Sequence, residues 1–459
     1  MASENTLSSG ARCHFVLVPG FGGFDALGQV EYYAGITRLF QWWKVRHPYP
    51  AVVLHYFDNL PTAAVVTRAL RLRRYLAKRI ARGEILKSDP VVLVGHSTGG
   101  LDIRRLIWDL DCDENRFTYA DGGFRIGART IRNCLRGVVF LSVPHWGTNI
   151  ADWVYDHWLL RKTAIADLRA AFAGSQVNLL ERMEARITSE AAAVTGAELL
   201  LAVRDALNES NDRLGEPDPS RVADAQEAAS EIDLYLRYMA TDFRVINDLT
   251  SVPHGETGSP AHFSLRDRQG EMTLWKRAPA ICTLSFATVG GRPFPFTARS
   301  GYRVPVFKLA NPCDWSEIAV GHDLSAGTDI SYRLCYRACA GGPFPRPKPT
   351  GAVTRVLGVS PPQPLQLWDN DGIVNTLSML WPGENTLIQA DHLDIVGHYR
   401  LSAVPPGAND SLRAYVSYDA LKSAPLFTGR TFKEVWTEIF SFSAAQANRS
   451  ASASCGGRG

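Results

Sequence analysis

The sequence lacks any run of about eighteen uninterrupted apolar residues, which excludes an ordinary membrane-spanning helix. It also lacks a strong charge of either sign: a net charge of +3 is small for 459 residues and argues against nucleic acid or an anionic membrane as the main partner. No export signal precedes the first apolar strand, since residues 1–12 are polar and small. The expected location is therefore cytoplasmic, although a secreted protein whose leader has been removed would look the same.

Cysteine is sparse and shows no metal-binding pattern. The eight cysteines are scattered, and the most closely spaced pair, Cys335 and Cys339, has neither a second pair nor a histidine cluster beside it. This spacing favours free thiols, or one disulfide in an exported protein, over a zinc site.

The order of apolar runs predicts an α/β protein with a mostly parallel sheet and helices on both faces. Short strands alternate with helices up to residue 150, and the alternation then stops. We expect five segments: the N-terminal half of the core at 1–150, a large helical cap or lid insertion at 151–280, a return strand and an irregular Pro- and Gly-rich excursion at 281–366, the rest of the core at 367–443, and a disordered tail at 444–459.

A basic helix is predicted from about Val65 to Arg82. Apolar residues recur along one face at helical spacing, and basic residues occupy the others. We favour a solvated helix face. A patch for phosphate or lipid headgroups, and with it transient contact with a lipid surface, is the alternative. The basic residues are Arg68, Arg71, Arg74, Lys78, Arg79 and Arg82.

The most informative motif is G-H-S-T-G at 95–99, which follows an apolar strand beginning at Val91. In G-x-S-x-G at a strand end, the small residues permit a sharp strand-to-helix turn that exposes the serine hydroxyl. An amphipathic helix follows from Leu101, so both required neighbours are present. The pattern predicts a nucleophile elbow with Ser97 as nucleophile. The alternative is an ordinary strand-turn-helix with an incidental serine.

A serine hydroxyl needs a base and an orienting carboxylate, which follow it in the order Asp or Glu, then His. The late histidines are His322, His392 and His398. His392 is the preferred base because it stands where an apolar strand runs into a polar loop. Asp371 and Asp369 both follow an apolar stretch, and this reasoning does not choose between them.

Two backbone amides must stabilise the charge that develops on the substrate oxygen. The amide after the nucleophile, at Thr98, is one, and we expect the other at Phe21 in the Gly-rich loop after the first strand. That loop lacks the G-x-G-x-x-G spacing of a dinucleotide site. His96, His145 and Trp146 are expected to line or support the substrate site, and for His145 a role in holding a loop is equally favoured.

Together these blocks resemble the bacterial true lipases of the α/β-hydrolase fold, the family I triacylglycerol lipases. The resemblance implies a catalytic triad of Ser97, Asp371 and His392, which resolves the ambiguity with Asp369, and an oxyanion donor at Phe21. The matching blocks occur in the same order and are Val16–Asp25 with Glu31–Ile36, Gly95–Gly100, Pro144–Thr148, Asn370–Val374 and Asp391–Val396.

The resemblance covers about residues 13–155 and 365–400 and has departures. Pro19 replaces the usual histidine of the oxyanion loop, and the middle of the chain is longer than a typical lid. Many members bind calcium near the catalytic histidine, which would here involve Asp394. The stretch about twenty residues before Asp371 offers no second acidic partner, so we expect no metal or other cofactor, with calcium as the alternative.

The sequence thus predicts a serine hydrolase that cleaves carboxylic esters of an apolar acyl or alcohol group, in a small molecule or a lipid, through an acyl-enzyme. The long cap and the missing export signal favour an intracellular esterase for a bulky ester or lactone over a triacylglycerol lipase. Acyltransferase, thioesterase and lactonase activities use the same triad. A noncatalytic binding module is the alternative from another class, and the oligomeric state stays open.

Overall fold

The computed structural model describes the sheet, its covering helices and the loops at the strand ends. The described residues are 12–24, 26–27, 30–47, 52–112, 118–121, 124–154, 244–251, 281–291, 332, 335–336, 339–340, 351–358, 365–399, 421, 423 and 427–455. Of the predicted cap at 151–280, only residues 151–154 and 244–251 are among them. The prediction of a helical cap therefore falls largely outside the described residues, as does His322.

The core is a seven-stranded sheet in which every neighbouring pair of strands is parallel. From edge to edge the strands are β10 (Ala352–Leu357), β11 (Glu384–Gln389), β9 (Cys282–Val289), β8 (Leu135–Leu141), β5 (Val91–His96), β1 (Cys13–Val18) and β4 (Val52–Tyr56). Two short antiparallel hairpins lie outside it: β2 (Ala26–Leu27) with β3 (Val30–Glu31), and β6 (Thr118–Asp121) with β7 (Phe124–Gly127).

The strand order positions a site between β1 and β5. The chain runs outward from β1 to the edge strand β4 and then returns to β5 on the other side of β1, so the order reverses there. Ligands of open parallel sheets bind outside the carboxyl ends of the strands at such a reversal. The loops after β1 and β5, which carry Phe21 and Ser97, both leave the sheet at this edge.

Helices cover both faces of the sheet, so the described core has the α/β-hydrolase architecture. One face carries α1 (Ile36–Arg46) and α8 (Gly429–Cys455), and the other carries α2 (Val65–Ala81), α3 (Thr98–Cys112) and α4 (Ala128–Cys134). Short helices α5 (Asn149–Val154), α6 (Arg244–Leu249) and α7 (Thr376–Met379) and a 3-10 turn at Asp394–Val396 complete the described elements. Within them, no helix combines the length and apolarity needed to cross a membrane.

Because both faces are covered, the central strands are buried along their whole length. All six residues of β1 and of β5 are buried. Val16 and Val18 pack toward α2 and α3, while Phe15 and Leu17 pack toward α1 and α8. Strands buried on both sides read as continuous apolar runs, which explains why the sequence identified them so readily.

The first helix, α1, begins at Ile36 because Gly35, just before it, has a φ of 72°, a left-handed conformation that does not continue an α-helix. The preceding residues form the β2–β3 hairpin.

Two segments expected to be irregular contain regular structure. Edge strand β10, rich in β-branched residues, lies within the 281–366 excursion. Helix α8 continues to Cys455, across most of the 444–459 segment for which the sequence predicts disorder. A helix already nucleated and packed through Trp436 and Phe440 adds alanine-rich turns at little cost, so composition alone was a poor guide there.

The predicted basic helix is present as α2, but its first arginine is not solvated. Arg68 is fully buried and pairs with Asp102 of α3, whereas the Arg71 side chain is 47% exposed. The start of α2 lies beneath the loops at the carboxyl edge of the sheet, a tertiary setting that helical periodicity does not reveal.

Candidate active site

Ser97 sits in a strained turn between β5 and α3. Its φ is 53°, in the left-handed region that non-glycine residues rarely adopt. The neighbouring glycines leave no room for side chains: a Cβ at Gly95 would lie 2.6 Å from Gly100 Cα, and one at Gly99 would lie 2.3 Å from the Val18 oxygen. The turn is therefore the close approach that the G-x-S-x-G spacing predicts, and the Ser97 amide anchors it by donating to the Leu141 oxygen at 2.8 Å.

The structure joins Asp371 to His392. Both side chains are buried, and His392 Nδ1 lies 2.7 Å from Asp371 Oδ2. A carboxylate accepts hydrogen bonds, so Nδ1 donates to Asp371, and a ring with this tautomer has its lone pair on Nε2. Nε2 has no hydrogen-bond partner within the described residues, so the structure shows no bond from Ser97 to His392.

Further donors hold the Asp371 carboxylate. Oδ1 accepts the amides of Ile373 and Val374 at 3.0 and 2.8 Å, and Oδ2 accepts the Thr288 hydroxyl at 2.6 Å as well as His392. With its lone pairs taken up in this way, the carboxylate is fixed in orientation behind the imidazole. Asp369 lies elsewhere, where its Oδ2 accepts the Gln366 amide at 2.7 Å.

A directional hydrogen-bond chain links the oxyanion loop to the His392 loop. His96 Nε2 donates to the His392 carbonyl at 2.9 Å, so Nδ1 must accept the Tyr32 hydroxyl at 2.7 Å. The Tyr32 oxygen in turn accepts the Gly20 amide at 2.7 Å. Burial lowers the pKa of His96 well below its usual value, and the nearby His392 adds to that shift, so His96 is neutral and supports the site rather than serving as its base.

The two amides predicted for the oxyanion are available. Thr98 is the first residue of α3, where amides have no intrahelical acceptor. Phe21 occupies a turn in which the Gly23 amide donates to the Gly20 oxygen at 3.1 Å. Within the part of the chain that the structure describes, neither the Phe21 nor the Thr98 amide donates to a backbone carbonyl.

His145 and Trp146 belong to a packed loop after β8. The His145 ring contacts Phe140 and Trp381 at centroid distances of 4.8 and 5.0 Å, and the Trp146 amide donates to Ser378 Oγ at 3.0 Å. These contacts support the loop-holding role for His145. A substrate contact from either residue stays a prediction.

The carboxylates on either side of His392 cap their own turn. Asp394 Oδ2 accepts the Asp391 amide at 2.8 Å, and Asp391 Oδ1 accepts the amides of Leu393 and Asp394 at 2.9 and 3.0 Å. Among the described residues, no group of three or more His, Cys, Asp or Glu is arranged to hold a metal ion. Calcium near His392, partly through Asp394, stays the alternative that the family resemblance raises.

Sequence comparison yields no match to a family model or to a curated protein. Solved structures similar to the chain include lipases and esterases. EstA from Clostridium botulinum is 17% identical with a TM-score of 0.42, over 92% of this chain and 90% of that chain. The Staphylococcus hyicus lipase is 15% identical with a TM-score of 0.42, over 98% and 99%. The mature Bacillus licheniformis lipase BlEst2 is 12% identical with a TM-score of 0.35, over 86% and 90%. Likeness at this level indicates no reaction or substrate for this chain.

Proposed function

We propose that the protein is a serine hydrolase that cleaves carboxylic esters of an apolar acyl or alcohol group. One observation carries the proposal: His392 is hydrogen-bonded to Asp371, and its loop is tied, through the His392 carbonyl, to His96, the residue next to the strained Ser97. A left-handed serine at a strand end is expected where its hydroxyl must face a substrate.

The proposed reaction has two halves. Ser97 Oγ attacks the ester carbonyl while His392 Nε2 takes the hydroxyl proton, and the imidazolium then gives that proton to the departing alkoxide. Water attacks the resulting acyl-enzyme with His392 again as base, which releases the acid and restores the serine. Asp371 orients the ring, and the amides of Phe21 and Thr98 stabilise the oxyanion of both tetrahedral intermediates.

The missing Ser97–His392 bond is compatible with this reaction. Catalytic hydrogen bonds in ligand-free sites are frequently long and tighten only when substrate is bound. In the proposal, the segment 151–280 sets the size of the acyl and alcohol groups, and family I lipase-like activity on a lipid ester is its narrower form.

The test is hydrolysis of p-nitrophenyl esters from acetate to palmitate by the native protein and by Ser97→Ala. We expect the substitution to reduce kcat by about 10³-fold or more, because without the nucleophile only the oxyanion amides and substrate binding remain. Ser441→Ala, on the exposed face of α8, is the matched control and should retain full activity. Ester cleavage that survives Ser97→Ala, or failure of a fluorophosphonate probe to label the native protein, would overturn the proposal.

A further inference from the structure

The buried Arg68 binds one side of the peptide unit that carries the proposed oxyanion amide. Arg68 Nη2 donates to the oxygens of Pro19 and Gly20 at 3.0 and 2.8 Å. The Gly20 oxygen and the Phe21 amide belong to the same planar trans peptide, in which the C=O and N–H point in opposite directions. Holding the Gly20 oxygen toward Arg68 therefore aims the Phe21 amide away from the guanidinium.

The same loop packs closely against Ser97. A Cβ built on Gly20 would lie 2.6 Å from Ser97 Cβ and 2.6 Å from the Tyr32 hydroxyl. The loop thus passes against the nucleophile with almost no clearance. A peptide flip at Gly20–Phe21 would replace the amide with a carbonyl oxygen, whose negative end would repel the developing oxyanion.

Every N–H group of the Arg68 guanidinium has a hydrogen-bond acceptor, which fixes the position of the group. Nη1 donates to the oxygens of Leu60 and Pro61, and Nε lies 3.1 and 3.0 Å from the two carboxylate oxygens of Asp102. Together with the two bonds from Nη2, all five N–H groups have acceptors. A lysine has three donors on one nitrogen and cannot reproduce this fork.

Asp102 connects this arrangement to the second oxyanion amide. It lies one turn after Thr98 on the same face of α3, so the Arg68–Asp102 contact joins the helix that begins at Thr98 to the loop that contains Phe21. The Asn59 side chain donates to Asp102 Oδ2 at 3.0 Å, and the Asn59 amide donates to the Gly23 oxygen at 2.6 Å. The loop is therefore held from both sides.

We propose that Arg68 and Asp102 are positioning residues that orient the Gly20–Phe21 peptide and set its spacing from Thr98, so that both amides converge on the oxyanion. The inference rests on the proposed function. It assigns a role to a buried ion pair that touches neither substrate nor the reacting atoms.

The test uses Arg68→Lys with Arg105→Lys as its matched control. Arg105 also pairs with an aspartate on α3, at 2.8 Å from Asp109, but away from the loop. We expect Arg68→Lys to lower kcat by about 10- to 100-fold with KM within about threefold, since misplacing one oxyanion amide removes transition-state stabilisation and leaves ground-state binding. Arg105→Lys should leave both constants unchanged.

A second readout separates positioning from a general structural role. An apolar trifluoromethyl ketone forms a tetrahedral oxyanion on the nucleophile, and its inhibition constant should rise in Arg68→Lys by about the same factor as kcat falls. The matching methyl ketone resists addition of the nucleophile and forms little oxyanion. It should therefore bind the native protein and Arg68→Lys equally well. If inhibition by the two ketones weakens equally, Arg68 only maintains the fold and the inference is wrong.

A second variant tests the same inference if Arg68→Lys does not fold. If Arg68→Lys shows no cooperative melting, Asn59→Ala removes one donor to Asp102 and should lower kcat by about 3- to 10-fold with KM unchanged. An unchanged kcat in the folded variant overturns the inference. If the native activity depends on Ser97, an unchanged kcat in the variant contradicts this inference and leaves the proposed function standing. If the native protein cleaves no ester at all, the proposed function itself is contradicted.

Discussion

The described residues include two buried histidine–aspartate pairs, one in the candidate active site and one away from it. His392 and Asp371 meet at 2.7 Å beyond the carboxyl ends of the strands. His14 and Asp89 meet at 3.0 Å, near the start of β1 and just before β5, and are equally buried. Burial and hydrogen bonding therefore do not distinguish the two pairs.

What distinguishes them is the second ring nitrogen. His14 Nδ1 lies 2.8 Å from His55 Nε2, so both nitrogens of His14 are occupied by the protein. The Asp89 carboxylate also accepts the Leu86 amide at 2.9 Å and caps that turn. His392 Nε2 instead has no hydrogen-bond partner among the described residues, and the ring lies 4.7 Å, between centroids, from that of His96, the neighbour of Ser97. A His–Asp pair becomes a candidate base only where its outer nitrogen faces a nucleophile and oxyanion donors.

Replacing the histidine of each pair by glutamine tests whether only the His392–Asp371 pair takes part in catalysis. We expect His392→Gln to lower kcat by about 10³-fold or more, because no base remains for Ser97. His14→Gln should keep kcat within about twofold and lower the free energy of unfolding by about 1–3 kcal/mol, because Asp89 loses a buried donor. Steady-state ester hydrolysis and denaturant melts measure both effects. A large loss of kcat in a folded His14→Gln protein would erase the distinction.

The His14–His55 cluster should make stability depend on pH. Burial, with a smaller contribution from His14, lowers the pKa of His55 to about 4 from 6.5. Between these values the unfolded chain binds more protons than the folded protein, so stability is full above pH 6.5 and is lost as the pH falls toward 4, by up to about 3 kcal/mol.

His55→Gln should flatten this slope, as followed by urea melts from pH 7.5 to 4.5. His47→Gln, at the exposed end of α1, is the control and should keep the native slope. If His55→Gln leaves the slope unchanged, other groups account for the acid sensitivity.

The smallest effect is expected from the donor behind Asp371. The Thr288 hydroxyl donates to Asp371 Oδ2, and it accepts the hydroxyl of Ser142, whose φ of 49° is also left-handed. Thr288→Val keeps the shape but removes this donor, so kcat should fall by about 10-fold, whereas Thr288→Ser should retain most of it. Equal activity of the two variants would mean that the backbone amides and His392 suffice to orient the carboxylate.

Local motifs account for the part of the site that the sequence predicts. The turn around Ser97 is encoded within ten residues, and His392 follows the apolar strand β11. The residues alone left Asp371 and Asp369 open, and the family resemblance chose Asp371. The parallel sheet could also be predicted from the sequence, because strands that are buried on both faces are continuous apolar runs.

The supporting network could not be predicted because its partners are distant in the chain. Arg68 and Asp102 are 34 residues apart, and His14 and Asp89 are 75 apart. A basic residue on an amphipathic helix is usually exposed to solvent, so the helical periodicity predicted that Arg68 is exposed. Tyr32 gave one usable signal, since it follows the Gly-rich loop within a block of the family resemblance, but its bond to His96 depends on the fold.

The long C-terminal helix has a consequence for the timing of assembly. Trp436 of α8 donates its indole N–H to the Ile395 oxygen at 2.8 Å and so braces the turn just after His392. A growing chain has already made Ser97, Asp371 and His392 when this helix is still to be translated. The histidine loop therefore acquires this support only after α8 has emerged from the ribosome, later than the three proposed catalytic residues themselves.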